Sequence, residues 1–379
     1  MEVANRLHSV EEYYFSKKLK EVNSLKSHGK PIINLGIGSP DLQPPSNVIT
    51  AIANSLKEAN AHKYQSYQGL PELRQAISGF YKTHFNVTLN ADGEVLPLMG
   101  SKEGIMHISM AFLNKGDAVL IPNPGYPTYT SVTKLLEAKP VFYNLDQKHN
   151  WCPNLLELEA QDLSKVKIMW ISYPHMPTGA KASKEVFKTL ITFAKKHDIL
   201  LVNDNPYSFI LNKEPLSILS VEGSKAVYLE LNSLSKTFNM AGWRVGMLLG
   251  NKDLINAVLK VKSNMDSGMF YGIQKGAIEA LNMSQSWFEN LNAIYQERRR
   301  LVWELATKLE CTYNENASGL FVWAKLPATL TSEAFIDKLL KEHNIFIAPG
   351  TIFGSQGEGY VRFSLCATTE QIKEAISRV

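Results

Sequence analysis

Between residues 94 and 231 short apolar runs recur, separated by amphipathic stretches, and this alternation constrains the chain more than any other feature. "EVLPLMG" (94–100), "DAVLIP" (117–122), "VKIMWISYP" (166–174), "ILLVND" (199–204) and "AVYLEL" (226–231) read as strands. Runs so apolar suit strands buried on both faces, as in a mostly parallel sheet covered by helices. The intervening "SKEGIMHISMAFL" (101–113), "PTYTSVTKLLEA" (127–138) and "SKEVFKTLITFAKKH" (183–197) read as helices. In the last of these, Val186, Phe187, Leu190, Ile191 and Ala194 fall at helical spacing. An open parallel sheet binds ligands beyond the carboxyl ends of its strands. Ser101, Tyr126, residues 177–179, Asp204 and the stretch Ser233–Lys236 all follow strand signals.

A chain of 379 residues exceeds one ordinary core, so two domains are expected. The texture changes near residue 285, where a long polar helix (287–309) precedes short strands and a last helix. The expected division is a large α/β domain over 46–285 and a smaller α+β domain from 1–45 and 286–379. Residues 1–30 read as one polar amphipathic helix that joins the smaller domain. The composition, 45% hydrophobic and 20% charged with net charge +4, shows no dense Lys/Arg block and gives no support for nucleic-acid binding. Cys152, Cys311 and Cys366 lie far apart, without metal-ligand or CxxC spacing, so no metal is expected. The N-terminus carries acids and no apolar run, and no window nears the ~18 apolar residues of a membrane span. A cytoplasmic protein is expected.

The densest chemistry lies in "NSLSKTFNMAGWRVG" (232–246). Ser233 and Ser235 precede Lys236, and Arg244 follows eight residues on. Hydroxyls and a planar guanidinium suit a phosphate. A lysine desolvated near positive charge has a depressed pKa, which frees its amine to attack carbonyls. S-x-S-K followed by G-x-R-x-G resembles the class I/II aminotransferases of the pyridoxal-phosphate fold type I superfamily, and the resemblance runs from about residue 30 to 379 with the motifs in the family's order.

That resemblance implies the site. It makes Lys236 the amine that condenses with pyridoxal 5′-phosphate and then moves a proton between the amino acid's Cα and the cofactor. It assigns the phosphate to Ser101, Lys102, Ser233, Ser235 and Arg244, with Tyr64 of "KYQSYQGLPELR" (63–74) reaching into a neighbouring subunit's site. Tyr126 would stack on the ring, Asp204 pair with the ring nitrogen, and Tyr207 donate to the 3-oxygen. Arg362 would clamp the substrate α-carboxylate, and Gly38 would let substrate approach the backbone. The chain departs from the family at Met176, where an asparagine usually donates to the 3-oxygen and a thioether cannot. The implied protein is a homodimeric enzyme exchanging amino groups between L-amino acids and 2-oxo acids. "KSNMDSGMF" (262–270) resembles LL-diaminopimelate aminotransferases, while aspartate, alanine and aromatic substrates stay open. A lyase on the same scaffold would keep the same cofactor residues. A cofactor-sensing regulator would need a DNA-binding module for which the length leaves no room, and a nucleotide-binding protein would need a G-x-G-x-x-G or phosphate loop that is missing.

Overall fold

The computed structural model describes residues 1–10, 14–221, 227–327 and 330–379. The expected helix over 1–30 divides: a 3₁₀ turn spans Asn5–Ser9, Val10 is extended, and helix α1 runs Tyr14–Ser27, with 11–13 outside the described residues. After strand β1 (Ile33–Asn34) come helices α2 (Ser46–Ser55) and α3 (Pro71–Phe85), then β2 (Val95–Leu98) and α4 (Ser101–Phe112). β3 (Ala118–Asn123), α5 (Pro127–Leu135), β4 (Lys139–Asn144), α6 (Leu155–Glu159) and β5 (Val166–Ile171) follow. α7 (Lys184–Lys196) leads to β6 (Leu200–Asp204) and β7 (Tyr228–Ser233); Ala226 of the expected strand lies outside the described residues. The short α8 (Leu234–Thr237) precedes β8 (Gly246–Gly250).

These strands form one seven-stranded sheet in the order β2-β8-β7-β6-β5-β3-β4. All neighbours from β7 to β4 are parallel, and β8 runs antiparallel to both β7 and β2. The expected mostly parallel, helix-covered sheet is therefore present. β4 and β8 carried no strand signal in the sequence reading. β4, at the sheet edge, buries only Tyr143 among exposed and half-buried residues, and β8 is five residues with a glycine at each end. Strands β2, β3, β6 and β7 are buried at every residue. Each fully buried Leu, Ile or Val stabilises the fold by about 1.5–3 kcal/mol relative to exposure.

Helices α9 (Lys252–Lys262) and α10 (Tyr271–Leu281) lead to α11 (Gln285–Lys308). Then come β9 (Thr312–Tyr313), β10 (Phe321–Lys325), α12 (Ser332–His343), β11 (Ile345–Phe346), β12 (Ala348–Pro349), β13 (Tyr360–Ser364) and α13 (Thr369–Arg378). β12, β13, β10 and β9 make a second, antiparallel sheet, and β1 pairs with β11. α1 joins this part of the chain: Val22 packs with Ile32, Leu340 and Phe346, and Lys18 donates to Asp337 at 3.0 Å. A Thr368–Gln371 capping box starts α13, where each partner satisfies the other's free backbone N–H.

Candidate active site

The sheet register explains why residues distant in sequence converge. Ser233 sits opposite Gly246, and Leu98 also sits opposite Gly246, so the ends of β7 and β2 meet at the start of β8. Asp204 at the end of β6 lies beside Leu231. The loops that follow therefore share one side of the sheet, and they line a cavity of about 500 Å³. Gly38, Ser101, Lys102, Tyr126, Asp204, Tyr207, Ser233, Ser235, Lys236, Arg244 and Arg362 all line it. Of the residues singled out in the sequence, Tyr64 stands apart: it is 91% exposed and borders a separate cleft with Tyr271 and Lys275.

Lys236 comes from α8, a single turn whose N-cap is Ser233. Its Nζ donates to the Gly38 carbonyl at 2.6 Å. Burial lowers its pKa, and the guanidinium groups of Arg362 and Arg244 push the same way. Gly38 is required there: a Cβ at that position would run into the ring of Phe321. Asp41, three residues on, accepts both arms of Arg298 at 2.7 and 2.8 Å, which ties the loop to α11.

At the opposite end, Ser101 opens α4, and the first turn of a helix offers free N–H groups to an anion. Gly100 has φ +91, and a Cβ on it would collide with the Arg244 guanidinium. Arg244 thus lies against the turn that carries Ser101. Ser233 Oγ donates to Ser235 Oγ at 2.7 Å, so the two hydroxyls are adjacent. Partial burial and the nearby Arg244 lower the pKa of Lys102. Two hydroxyls, two cations and a helix start make this end an anion pocket.

Asp204 is buried. Tyr129 donates to its Oδ2 at 3.0 Å, while its Oδ1 has no hydrogen-bond partner. Desolvation pushes the carboxyl up to about 6. Tyr129 in turn stacks on Trp170 with ring centroids 4.9 Å apart. Tyr126 is half-buried against Tyr129 with its ring perpendicular. Burial raises the phenol pKa of Tyr207 strongly, so its hydroxyl keeps its proton.

Arg362 lies on β13, opposite Trp323. β13 is buried from Val361 to Ser364, so neither of its faces meets solvent there. The guanidinium carbon sits 3.8 Å from the Phe321 ring centre and 4.7 Å from that of Phe353. One arm donates to the Gly36 carbonyl at 2.8 Å, and the other meets the Met176 sulfur at 3.5 Å. The plane of the fork is therefore held by two aromatic faces. Tyr129, Phe321 and Phe353 escaped the sequence reading. Tyr129 was visible two residues after the glycine–tyrosine–proline turn, whereas the two phenylalanines belong to apolar stretches without any distinguishing pattern.

The protein-family model that matches describes aminotransferases of class I and II and covers residues 30–379. An LL-diaminopimelate aminotransferase of Dehalococcoides mccartyi is 39% identical over 381 residues, covering 100% of this chain and 98% of the relative. One from Maridesulfovibrio salexigens is 40% identical with the same coverage. Among solved structures, apo-BacF from Bacillus subtilis superposes with a TM-score of 0.95 at 35% identity, over 100% of this chain and 98% of that one. With a match that runs from residue 30 to residue 379, and with relatives alike over nearly their full length, this chain belongs to the class I and II aminotransferases and has their fold type I architecture.

Proposed function

We propose that the cavity holds pyridoxal 5′-phosphate, that Lys236 is the residue it joins, and that the enzyme moves amino groups between L-amino acids and 2-oxo acids as a homodimer. One observation carries this reading. A buried carboxylate with an unpartnered oxygen, Asp204 Oδ1, lines the same cavity as a lysine of lowered pKa. An unpaired buried carboxylate is costly, and a cationic N–H donor would remove that cost. The anion pocket of Ser101, Ser233, Ser235 and Arg244 fits a phosphate, and Tyr126 and Tyr207 line the space between.

When bound, the cofactor supplies an aldehyde for the amine and a ring that withdraws electron density from the amino acid's Cα. The residues do the rest. Arg362 receives the α-carboxylate through its forked N–H groups, its orientation set by Phe321, Phe353 and the Gly36 carbonyl. Lys236, neutral more readily than a surface lysine, accepts a proton at Nζ and returns it nearby, and the Gly38 carbonyl holds that nitrogen in place. Asp204, its carboxylate oriented by Tyr129, would offer Oδ1 to a protonated ring nitrogen and favour the proton there. Tyr207 donates its retained phenol proton.

Support for the dimer comes from segment 64–67 and its neighbour 265–270. Tyr64, Tyr67, Met265 and Phe270 are large, exposed and side by side: buried Lys262 donates to the Tyr67 carbonyl at 3.0 Å and pairs with Asp266 at 2.8 Å. A second copy would cover this face and receive Tyr64 at its phosphate pocket. No helix among the described residues is long and apolar enough to cross a membrane. Three unpaired cysteines accord with a reducing compartment such as the cytoplasm. The test uses ¹⁵N-labelled amino acids and unlabelled 2-oxo acids. Transfer of label to the 2-oxo acid supports the reading, and stoichiometric release of labelled ammonia instead selects a lyase.

A further inference from the structure

The end of the cavity that would receive the substrate side chain is apolar. Met176, Phe321 and Phe353 lie against Arg362 there, and Leu19 of α1 and Ile37 line the same cavity. The lining side chains that carry charge are Lys102, Asp204, Lys236, Arg244 and Arg362. Each has a task in the transamination reading, on which this inference rests. Lys102 stands near Arg244 at the phosphate end. Asp204 is committed to Tyr129 and the ring nitrogen, and Arg362 to the α-carboxylate. Among the described residues that line the cavity, none is left to pair a second ammonium or a second carboxylate.

We propose that this enzyme takes amino acids with large apolar side chains, aliphatic or aromatic, and that Leu19, Ile37 and Met176 select them. A diamino diacid such as LL-diaminopimelate brings a distal ammonium and a distal carboxylate, and aspartate brings a distal carboxylate. Burying either without a partner costs more than a side-chain pocket returns. Met176 sharpens the selection, because its flexible thioether fills space where an amide would present polar atoms. Of the segments that a second copy would add, 63–67 carries Tyr67 beside polar Lys63, Gln65 and Ser66, and 264–270 carries Met265 and Phe270, with Asp266 already paired to Lys262.

Two measurements on the cofactor-loaded full-length enzyme test this. The first follows the single-turnover spectral change with L-phenylalanine, L-leucine, L-methionine, L-aspartate and LL-diaminopimelate, so that no acceptor acid enters. At least one of the three apolar amino acids is expected to exceed both charged ones by about tenfold or more in apparent second-order rate. LL-diaminopimelate or aspartate matching or leading the apolar set overturns this assignment alone. No conversion with any of the five overturns the transamination reading and this assignment with it. The second compares equilibrium binding of 3-phenylpropanoate and succinate, which cannot react. Tighter 3-phenylpropanoate is expected, with the ratio moving toward succinate by about tenfold in Leu19→Lys, a charge placed in the same wall. A ratio that favours succinate in the unmodified protein, or is unmoved by Leu19→Lys, overturns the assignment.

Discussion

Asp204 keeps a carboxylate where water cannot reach it, and burial lifts it to about 6 from an ordinary 3.8. The sign of the consequence follows from proton binding. Between pH 4 and 6 the folded cofactor-free protein holds this proton and the unfolded chain does not, so the group lowers stability as pH rises through that window. Cofactor-free Asp204→Asn is therefore expected to be more stable than the unmodified protein at pH 7, by about 3 kcal/mol, with the difference vanishing near pH 4. Denaturant unfolding at both pH values measures this, and equal stabilities at pH 7 contradict it. Cofactor-loaded Asp204→Asn is expected to lose activity by at least about a hundredfold, because Oδ1 no longer holds the ring proton. Met176 gives a second residue-scale outcome. Met176→Asn adds a donor for the cofactor's 3-oxygen, so the absorbance of the loaded protein is expected to titrate at lower pH than in the unmodified enzyme. An unchanged or raised midpoint contradicts this. Arg362→Lys keeps the charge but loses the fork between Phe321 and Phe353, and kcat/KM is expected to fall about a hundredfold for amino acids.

Gly100 adopts φ +91 with the Arg244 guanidinium where a Cβ would stand. Gly100→Ala is expected to destabilise the fold by about 1–3 kcal/mol and, with Arg244 in the proposed phosphate-binding role, to weaken binding of pyridoxal phosphate more than that of pyridoxal. Equal loss for both vitamers, read by dialysis equilibrium, contradicts the phosphate role of Arg244. The elements divide into those that could be read from sequence and those that could not. β3 and β6 were legible because burial on both faces leaves apolar runs, and β5 and β7 because only a single charged residue, exposed Lys167 or buried Glu230, interrupts theirs. β4 was not, because a largely exposed edge strand carries only a short apolar core, Val141–Tyr143, between polar residues. The single helix expected over 1–30 ignored the extended Val10, which separates the 3₁₀ turn from α1. The motif residues Lys236, Asp204 and Arg244 were legible because polar side chains directly after buried strands stand out. Phe321 and Phe353 were illegible because an aromatic that clamps an arginine has the same local pattern as one that only fills a core.

The whole molecule brings two sheets and a helical N-terminus around one cavity, so its closure depends on segments far apart in sequence: α1, residues 37–39 after β1, the large sheet and β13. On the dimer reading it also depends on a second chain. Sedimentation is expected to give twice the 42.4 kDa chain mass, and Tyr64→Phe is expected to weaken phosphate-cofactor affinity about tenfold while leaving that mass unchanged. A monomer with full activity contradicts the shared site. The proposed chemistry turns on a single nitrogen, Lys236 Nζ. The measurement is borohydride reduction of the protein loaded with pyridoxal phosphate, followed by peptide mass mapping. The added mass is expected on the peptide containing Lys236 and on no other, and to be lost in Lys236→Ala. Protein that stays unlabelled in excess cofactor, or carries the label at another lysine, contradicts the account.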